Sequence, residues 1–256
     1  MALRDLGILL NVPIDSKSLH VSTQDALQAI EHKADRIVFV CANPHSIVVA
    51  QSDPSFLKAF HQATLVVPDG VGVTLMARLA GVSVGPRITG ADYFFSVMKA
   101  INSRGHGRVF FFGSTVRVLD LVAKRFKTDF PSLTLCGTYS PPFGLWSRDE
   151  NAKMVATINQ AQPDILWVGM TAPKQEKWVE ENRHRLDVPI IASVGAVFDF
   201  YAGTYERAPD WMCRTGLEWA YRFIREPRRM WKRYFISSPK FILLVVWSHI
   251  LGFDSK

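Results

Sequence analysis

Asp69 is the first candidate for chemistry, because it directly follows a short apolar run. The run Thr64–Val67 leads into Pro68, Asp69 and Gly70, a combination typical of a tight turn. A carboxylate held in a rigid turn can act as a general base and take a proton from an acceptor hydroxyl. An Asp-Gly turn whose side chain only bonds its own backbone is the alternative. The sequence therefore predicts a candidate base at Asp69 and leaves the turn interpretation open.

Four other polar or glycine positions follow apolar runs in the same way. Asn43 can bond a sugar or satisfy its own turn. Gly113 opens a Gly-Ser-Thr turn that can bring backbone N–H groups to a phosphate, or that provides a helix cap. Gln175 lies at a helix N-terminus, where the partial positive charge favours an anionic ligand. Asp199 lies among apolar residues and needs a partner, either a ligand or a buried backbone group.

Common motifs that bind metals or nucleotides are absent from the sequence. The sequence has no Asp-x-Asp, no clustered histidines or cysteines, and neither glycine-rich nucleotide fingerprint. Its three cysteines (Cys41, Cys136 and Cys213) are far apart and are interpreted as small buried hydrophobes in a reducing compartment. We therefore expect no metal site, no cofactor and no disulfide framework.

The elements that must position these residues are strands with continuous apolar cores alternating with helices. Such strands are typical of a parallel sheet covered on both faces. The predicted strands are Arg36–Cys41, Thr64–Val67, Arg108–Gly113, Leu133–Cys136, Asp164–Gly169 and Val188–Val194. Helices are predicted to start at Ser22 and Asp53 and to cover Val116–Phe130, Asp149–Gln160 and Pro173–Arg185. The alternation predicts an α/β fold: a Rossmann-like, mostly parallel sheet sandwiched by helices, with ligands beyond the carboxyl ends of its strands.

Composition and charge add a second region to this fold. The chain has 256 residues, 48% hydrophobic and 21% charged, which excludes a disordered or fibrous protein. Its net charge is +7, and eight basic but only two acidic residues lie between Trp211 and Lys240, among seven aromatic ones. We therefore divide the chain into an α/β domain, residues 1–203, and a basic, aromatic-rich helical appendage, residues 204–256, whose last part starts a helix at Pro227.

No segment reaches the roughly 18–20 apolar residues needed to span a bilayer. The most apolar one, Phe241–Phe253, contains Ser248 and His249 and is better suited to lying on a membrane. The first residues, Met1–Pro13, lack a small-residue cleavage site, so we do not expect a signal peptide.

Several of these segments together resemble the WecG/TagA/CpsF family of glycosyltransferases, from about Asp35 to Phe235. The motifs that carry the resemblance are Asn43–Ala50 (NPHSIVVA), Pro68–Val71 (PDGV), Arg87–Asp92 (RITGAD), Phe111–Gly113 (FFG), Gly169–Glu176 (GMTAPKQE), Val194–Asp199 (VGAVFD), Ala202–Gly203, Arg207–Pro209 (RAP), and Gly216–Trp219 (GLEW) with Arg222. Any one of them is weak, but their joint occurrence in family order is specific.

The resemblance implies an inverting, metal-independent transfer of a sugar from a UDP-linked donor to a polyprenyl-diphosphate-linked saccharide in cell-surface polysaccharide biosynthesis. Members use N-acetylmannosamine, its uronic acid, glucose or other hexoses. By analogy Asp69 is the base, with Asn43, Gln175 and Asp199 around the donor and Arg87 beside the pocket. The resemblance also implies a cytoplasmic enzyme peripheral on the inner face of the plasma membrane, and self-association.

One departure concerns Cys41, since many members have threonine at this position, two residues before the asparagine. A hydrogen bond to the donor sugar can be lost here, so N-acetylmannosamine specificity does not follow from the resemblance.

The appendage fits a substrate whose lipid stays in an anionic bilayer. By the resemblance it brings the cations Arg222, Arg229, Lys232 and Arg233 to the lipid diphosphate, and each cation near an anionic surface contributes about 1 kcal/mol. The last three are spaced i, i+3 and i+4, so one helical face can present them. The alternative is a solvated basic helix whose aromatic residues pack on the core.

Three other functions suit parts of the sequence. Interleaved arginines and aromatic residues also suit single-stranded nucleic acid, although we expect no nucleic-acid partner. A Rossmann-like pattern alone suits a nicotinamide-dependent oxidoreductase, but the glycine fingerprint is missing. An inactive scaffold subunit of a polysaccharide complex is the third.

Overall fold

A six-stranded parallel sheet lies at the centre of the structure, a computed structural model that describes residues 4–33, 36–206, 208–209, 211–212, 215 and 217–251. The side chains of Arg229 and Leu251 are outside this description. The sheet consists of β3 (Ile37–Ala42), β4 (Leu65–Pro68), β5 (Arg108–Gly113), β6 (Thr134–Tyr139), β7 (Ile165–Gly169) and β8 (Ile190–Ser193). Two further strands, β1 (Leu6–Leu9) and β2 (Val12–Asp15), precede it in the chain. The helices of the α/β domain are α1 (Leu19–His32), α2 (Pro44–Ala50), α3 (Pro54–Gln62), α4 (Val71–Leu79), α5 (Gly90–Ser103), α6 (Val116–Asp129), α7 (Arg148–Gln160), α8 (Lys174–Asn182) and α9 (Val197–Ala202).

The sheet has the order β4-β3-β8-β7-β5-β6, and every neighbouring pair is parallel. All six predicted strands are present, which confirms the α/β fold. The largest difference is at the edge strand β6, where the prediction Leu133–Cys136 ends three residues before Tyr139. Because an edge strand is covered on fewer sides, its second half is only half-buried and lacks the apolar run that marks the central strands.

Two apolar cores lie on opposite faces of the sheet, since successive strand residues point to opposite faces. On one face Val38, Val40 and Ile191 pack with α2, α3, α4 and α8. On the other face Phe39 and Trp167 pack with α1, α5, α6 and α9. This double covering explains the continuous apolar runs in the sequence.

An antiparallel hairpin, β1–β2, precedes the sheet and was not predicted. Its two-residue turn consists of Leu10 and Asn11, both at positive φ (48° and 61°), which suits the twist of a tight hairpin. The turn lacks the usual Asn-Gly or Asp-Gly signal. The fully buried carboxylate of Asp15 joins the hairpin to the sheet edge, because it accepts hydrogen bonds from the Arg4 guanidinium (2.7 and 2.5 Å) and from Val66 N–H (2.6 Å).

One predicted helix start is confirmed and another is wrong. Asp53 caps α3 through a bond from Phe56 N–H, as predicted. The start predicted at Ser22 is wrong, because Ser18 caps α1 and its side chain accepts from Val21 N–H. The Ser22 hydroxyl instead donates to the Ser18 carbonyl inside the first turn.

From Glu218 onward the appendage consists of α10 (Glu218–Arg225), α11 (Pro227–Trp231), a π-helical segment (Lys232–Ser237) and α12 (Ser238–Leu251). The predicted helix start at Pro227 is therefore confirmed. α12 packs against α2 and α4 and buries Phe241 and Val245 in the core of the α/β domain. Within the described ranges, no helix is both long and apolar enough to cross a membrane.

Candidate active site

The turn that carries Asp69 is fixed at the carboxyl end of β4. The Asp69 N–H donates to the Ala42 carbonyl (2.8 Å), so the pairing between β3 and β4 continues one residue beyond Pro68. Gly70 has φ 104°, which favours glycine, and α4 begins at the next residue. The short turn thus places a carboxylate beyond the strand ends, where ligands bind in such sheets.

The electrostatic surroundings of Asp69 suit a base at neutral pH. Burial and, to a smaller extent, the nearby Glu218 carboxylate raise its pKa from 3.8 to about 6, although the charges of Arg222 and Arg87 act in the opposite direction. Arg87 also pairs with Glu218 at 3.4 Å. Glu218 and Arg222 belong to α10, so the appendage folds over the end of the sheet beside Asp69.

Arg222 is the cation of the appendage whose charge acts on this carboxylate. Its guanidinium lies over the Phe200 ring, 5.4 Å from the ring centroid. Its buried Nε has no hydrogen-bond partner among the residues that the structure describes. The residue as a whole is half-buried, and a guanidinium with an unused donor can hold an anionic group.

Asn43 caps α2, so of the two possibilities that the sequence left open its side chain satisfies its own turn. Its Oδ1 accepts from Ser46 N–H (3.0 Å), and the Ser46 hydroxyl completes a capping box with the Asn43 backbone. Cys41 precedes it at the end of β3. Burial, together with the charges of Asp69 and Glu176, raises the pKa of its thiol well above the usual value, so the thiol stays neutral.

Gln175 ties together the ends of two central strands. Its Oε1 accepts from Met170 N–H and Gly195 N–H, both at 3.1 Å, and its Nε2 donates to Glu176 at 2.7 Å. Its carbonyl oxygen is therefore engaged inside the protein. The buried Glu176 was not a predicted site residue, although it follows Gln175 in the same motif. Burial raises the pKa of Glu176 to about 7.

Gly113 marks a close approach between the ends of β5 and β7. It has φ 120°, and a Cβ there would lie 2.4 Å from the Gly169 carbonyl oxygen. Two residues later Thr115 caps α6 through Val118 N–H, which is the capping interpretation of this turn. Asp199 lies in the first turn of α9, directly after the β8 loop, and its backbone carbonyl accepts from Thr204 N–H.

The π-helical segment brings a second cation to the site. Arg233 is half-buried. Burial lowers the pKa of His45 and the charge of Arg233 lowers it further, whereas burial raises the pKa of Glu176 and Arg233 only opposes that rise. His45 Nδ1 lies 2.8 Å from Ser237 Oγ, which joins α2 to this segment. Lys232, by contrast, is exposed. The side chain of Arg229 lies outside the described residues.

Neither the cysteines nor the other potential ligands form a metal centre in the described part of the chain. Cys41 and Cys136 are free thiols, and Cys213 lies outside the described residues. In the same ranges, no three His, Cys, Asp or Glu side chains are grouped so that they could hold a metal ion.

Comparison with known proteins adds independent information. Residues 8–253 match the family described as the glycosyl transferase WecG/TagA/CpsF family. The chain is 32% identical to a protein of Bacillus subtilis strain 168, over 92% of this chain and 89% of the relative. It is also 32% identical to a Bacillus spizizenii protein (81% and 77% coverage) and 26% identical to a Staphylococcus aureus protein (78% and 74% coverage). All three relatives are named N-acetylglucosaminyldiphosphoundecaprenol N-acetyl-beta-D-mannosaminyltransferase.

Proposed function

The chain belongs to the WecG/TagA/CpsF family of glycosyltransferases, and on that basis we propose that it transfers a sugar from a UDP-linked donor to a polyprenyl-diphosphate-linked saccharide. The sugar is a hexose or N-acetylhexosamine, either of the N-acetylmannosamine type or glucose. The names of the relatives support a lipid-diphosphate acceptor and a role in cell-surface polysaccharide biosynthesis.

The observation that carries the proposal is the Asp69 carboxylate, fixed beyond β4 and flanked by Arg87 and by Arg222 of the appendage. In the proposed reaction, ionised Asp69 takes the proton of the acceptor hydroxyl while its oxygen attacks the anomeric carbon. The C1–O bond to UDP breaks on the opposite face, so the configuration inverts.

The departing UDP needs positive charge, and the proposal assigns this task to the protein without a metal ion. The N-terminus of α8, which begins at Lys174, and the turn at Gly113 before α6 both lie at the carboxyl end of the sheet. Helix N-termini and preorganised N–H groups stabilise developing negative charge. We place Asn43, Gln175 and Asp199 around the donor, with Gln175 holding the strand ends in place.

The acceptor diphosphate is assigned to the cations of the appendage, Arg222, Arg229, Lys232 and Arg233. Arg222 and Arg233 lie close to Asp69 and Glu176 respectively, and the exposed Lys232 faces outward. In this proposal residues 1–203 form the catalytic domain and residues 204–256 attach it to an anionic membrane, at the inner face of the plasma membrane where UDP-sugars are available.

Release of UDP from a panel of UDP-sugars, with a short-chain lipid-diphosphate saccharide as acceptor, tests the proposal. Asp69→Asn should reduce turnover by roughly 10²–10⁴ and leave donor affinity largely intact, because only the proton transfer is lost. Asp187→Asn is the matched control, since Asp187 is an exposed acid near the amino end of β8. It therefore lies at the end of the sheet opposite to the carboxyl end that carries Asp69. Normal turnover of the Asp69→Asn enzyme would contradict the assignment of the base.

A further inference from the structure

Helix α4 presents an apolar stripe to solvent. Val71, Leu75 and Leu79 recur every four residues and are 46%, 53% and 64% exposed. The opposite face of the helix packs on the α/β domain, because Val73 and Met76 are buried in its core. Isolated exposed apolar residues are common on protein surfaces, but three on one helical face form a stripe.

The stripe continues onto a neighbouring apolar helix. α12 packs against α4, and it buries Phe241 and Val245 while its outer face stays exposed. The exposed residues of that outer face are Ile242, Leu243, Val246, Trp247 and Ile250. Extended exposed apolar surfaces of this kind mark interaction sites.

The charges around this surface select the kind of partner. Arg78 is exposed in the last turn of α4, and Lys232 and Lys240 are exposed in the appendage. α4 itself has no acidic residue. An apolar surface edged by cations is complementary to a bilayer with anionic headgroups, and aromatic residues such as Trp247 suit the interface.

We propose that α4 is a membrane-contact helix of the catalytic domain, with Val71, Leu75 and Leu79 entering the boundary between headgroups and acyl chains beside α12. The inference rests on the proposed function, because the polyprenyl-diphosphate acceptor lies in that bilayer. α4 begins two residues after Asp69, so the contact positions the base at headgroup depth, the level of the acceptor diphosphate.

Flotation with phosphatidylcholine vesicles containing phosphatidylglycerol tests the contact directly. The double variant Leu75→Gln/Leu79→Gln should bind vesicles about tenfold less well than the unchanged chain. It lacks the two half-exposed leucine side chains whose transfer from water into the bilayer favours binding. Both side chains face solvent, so thermal stability should not change. The matched control is Val116→Gln: Val116 is 64% exposed like Leu79, but it lies at the start of α6 on the other face of the sheet.

Activity separates this inference from the proposed function. The double variant should retain full turnover with a water-soluble short-chain acceptor and lose several-fold with a long-chain polyprenyl acceptor in vesicles. Vesicle binding equal to that of the Val116→Gln control would overturn the membrane contact, even if the enzyme is active. A change in oligomeric state with unchanged vesicle binding would also overturn it and would make the stripe a contact with a second copy. Absence of turnover in the unchanged chain with every acceptor would instead contradict the proposed function, while flotation still reports on the stripe.

Discussion

The raised pKa of Asp69 predicts a steep loss of activity in mild acid. A general base must be ionised, and burial together with Glu218 places this pKa at about 6. At pH 5 only about one-tenth of the carboxyl is then ionised, so kcat/KM for the acceptor should fall roughly tenfold from its plateau. With the ordinary value of 3.8 the carboxyl would be about 94% ionised at pH 5, and almost no activity would be lost.

Two substitutions should move this acidic limb in opposite directions. Glu218→Gln removes a negative charge that raises the pKa of Asp69, so the midpoint should fall by about 0.5–1 pH unit. Arg222→Met removes a positive charge that lowers the same pKa, so the midpoint should rise. Glutamine keeps a polar group beside Arg87, and therefore the Glu218 variant tests charge more than packing.

The assay is UDP release with a short-chain acceptor from pH 4.5 to 8.5, with each variant checked for folding at every pH. The midpoint of the limb is the useful quantity, because a substitution near the site can also change the plateau. A midpoint near pH 4, or equal midpoints in Glu218→Gln and Arg222→Met, would refute the electrostatic reasoning.

The same shift has a consequence for stability. Because the folded protein holds the Asp69 proton more tightly than the unfolded chain, stability decreases as pH rises from 3.8 towards about 6. Above that range the ionised carboxyl costs up to about 3 kcal/mol. Asp69→Asn should therefore unfold at a higher temperature at pH 7.5, although its turnover is strongly reduced. Equal melting temperatures at pH 7.5 would contradict the burial of this carboxyl.

Three further substitutions test the scaffold and the donor pocket. Gly113→Ala forces a Cβ against a backbone oxygen of the neighbouring strand and should destabilise by at least about 2 kcal/mol in urea unfolding, whereas Gly105→Ala, also at positive φ but in open space, should cost about 1 kcal/mol. Asp15→Ala leaves the Arg4 guanidinium without its buried carboxylate and should cost about 3–5 kcal/mol by the same measurement. Cys41→Thr restores a hydroxyl at the end of β3 and should raise kcat/KM for UDP-N-acetylmannosamine relative to UDP-glucose by about fivefold, the value of one hydrogen bond; an unchanged ratio would remove this position from sugar selection.

Local patterns were sufficient for the sheet and for the position of Asp69. A strand buried on both faces must be apolar throughout, so Ile165–Gly169 and its neighbours could be recognised from their residues alone. Parallel strands end at one edge, and a carboxylate directly after such a strand must lie at that edge. The hairpin β1–β2 escaped prediction because Leu10 and Asn11 reach positive φ without a glycine.

Contacts between residues that are far apart in the chain could not be predicted from the sequence and became visible only in the tertiary structure. The sequence offered two possibilities for Asn43, and the cap on α2 became visible only from the hydrogen bonds of Ser46. Glu218 is about 150 residues from Asp69 along the chain, yet its charge helps to set the pKa of that carboxyl. The sequence by itself determined which residues stand at the end of each strand, because burial imposes a local pattern on residue types. Which charges surround them depends on how the appendage packs over the sheet, and that packing is a property of the whole chain that no local pattern encodes.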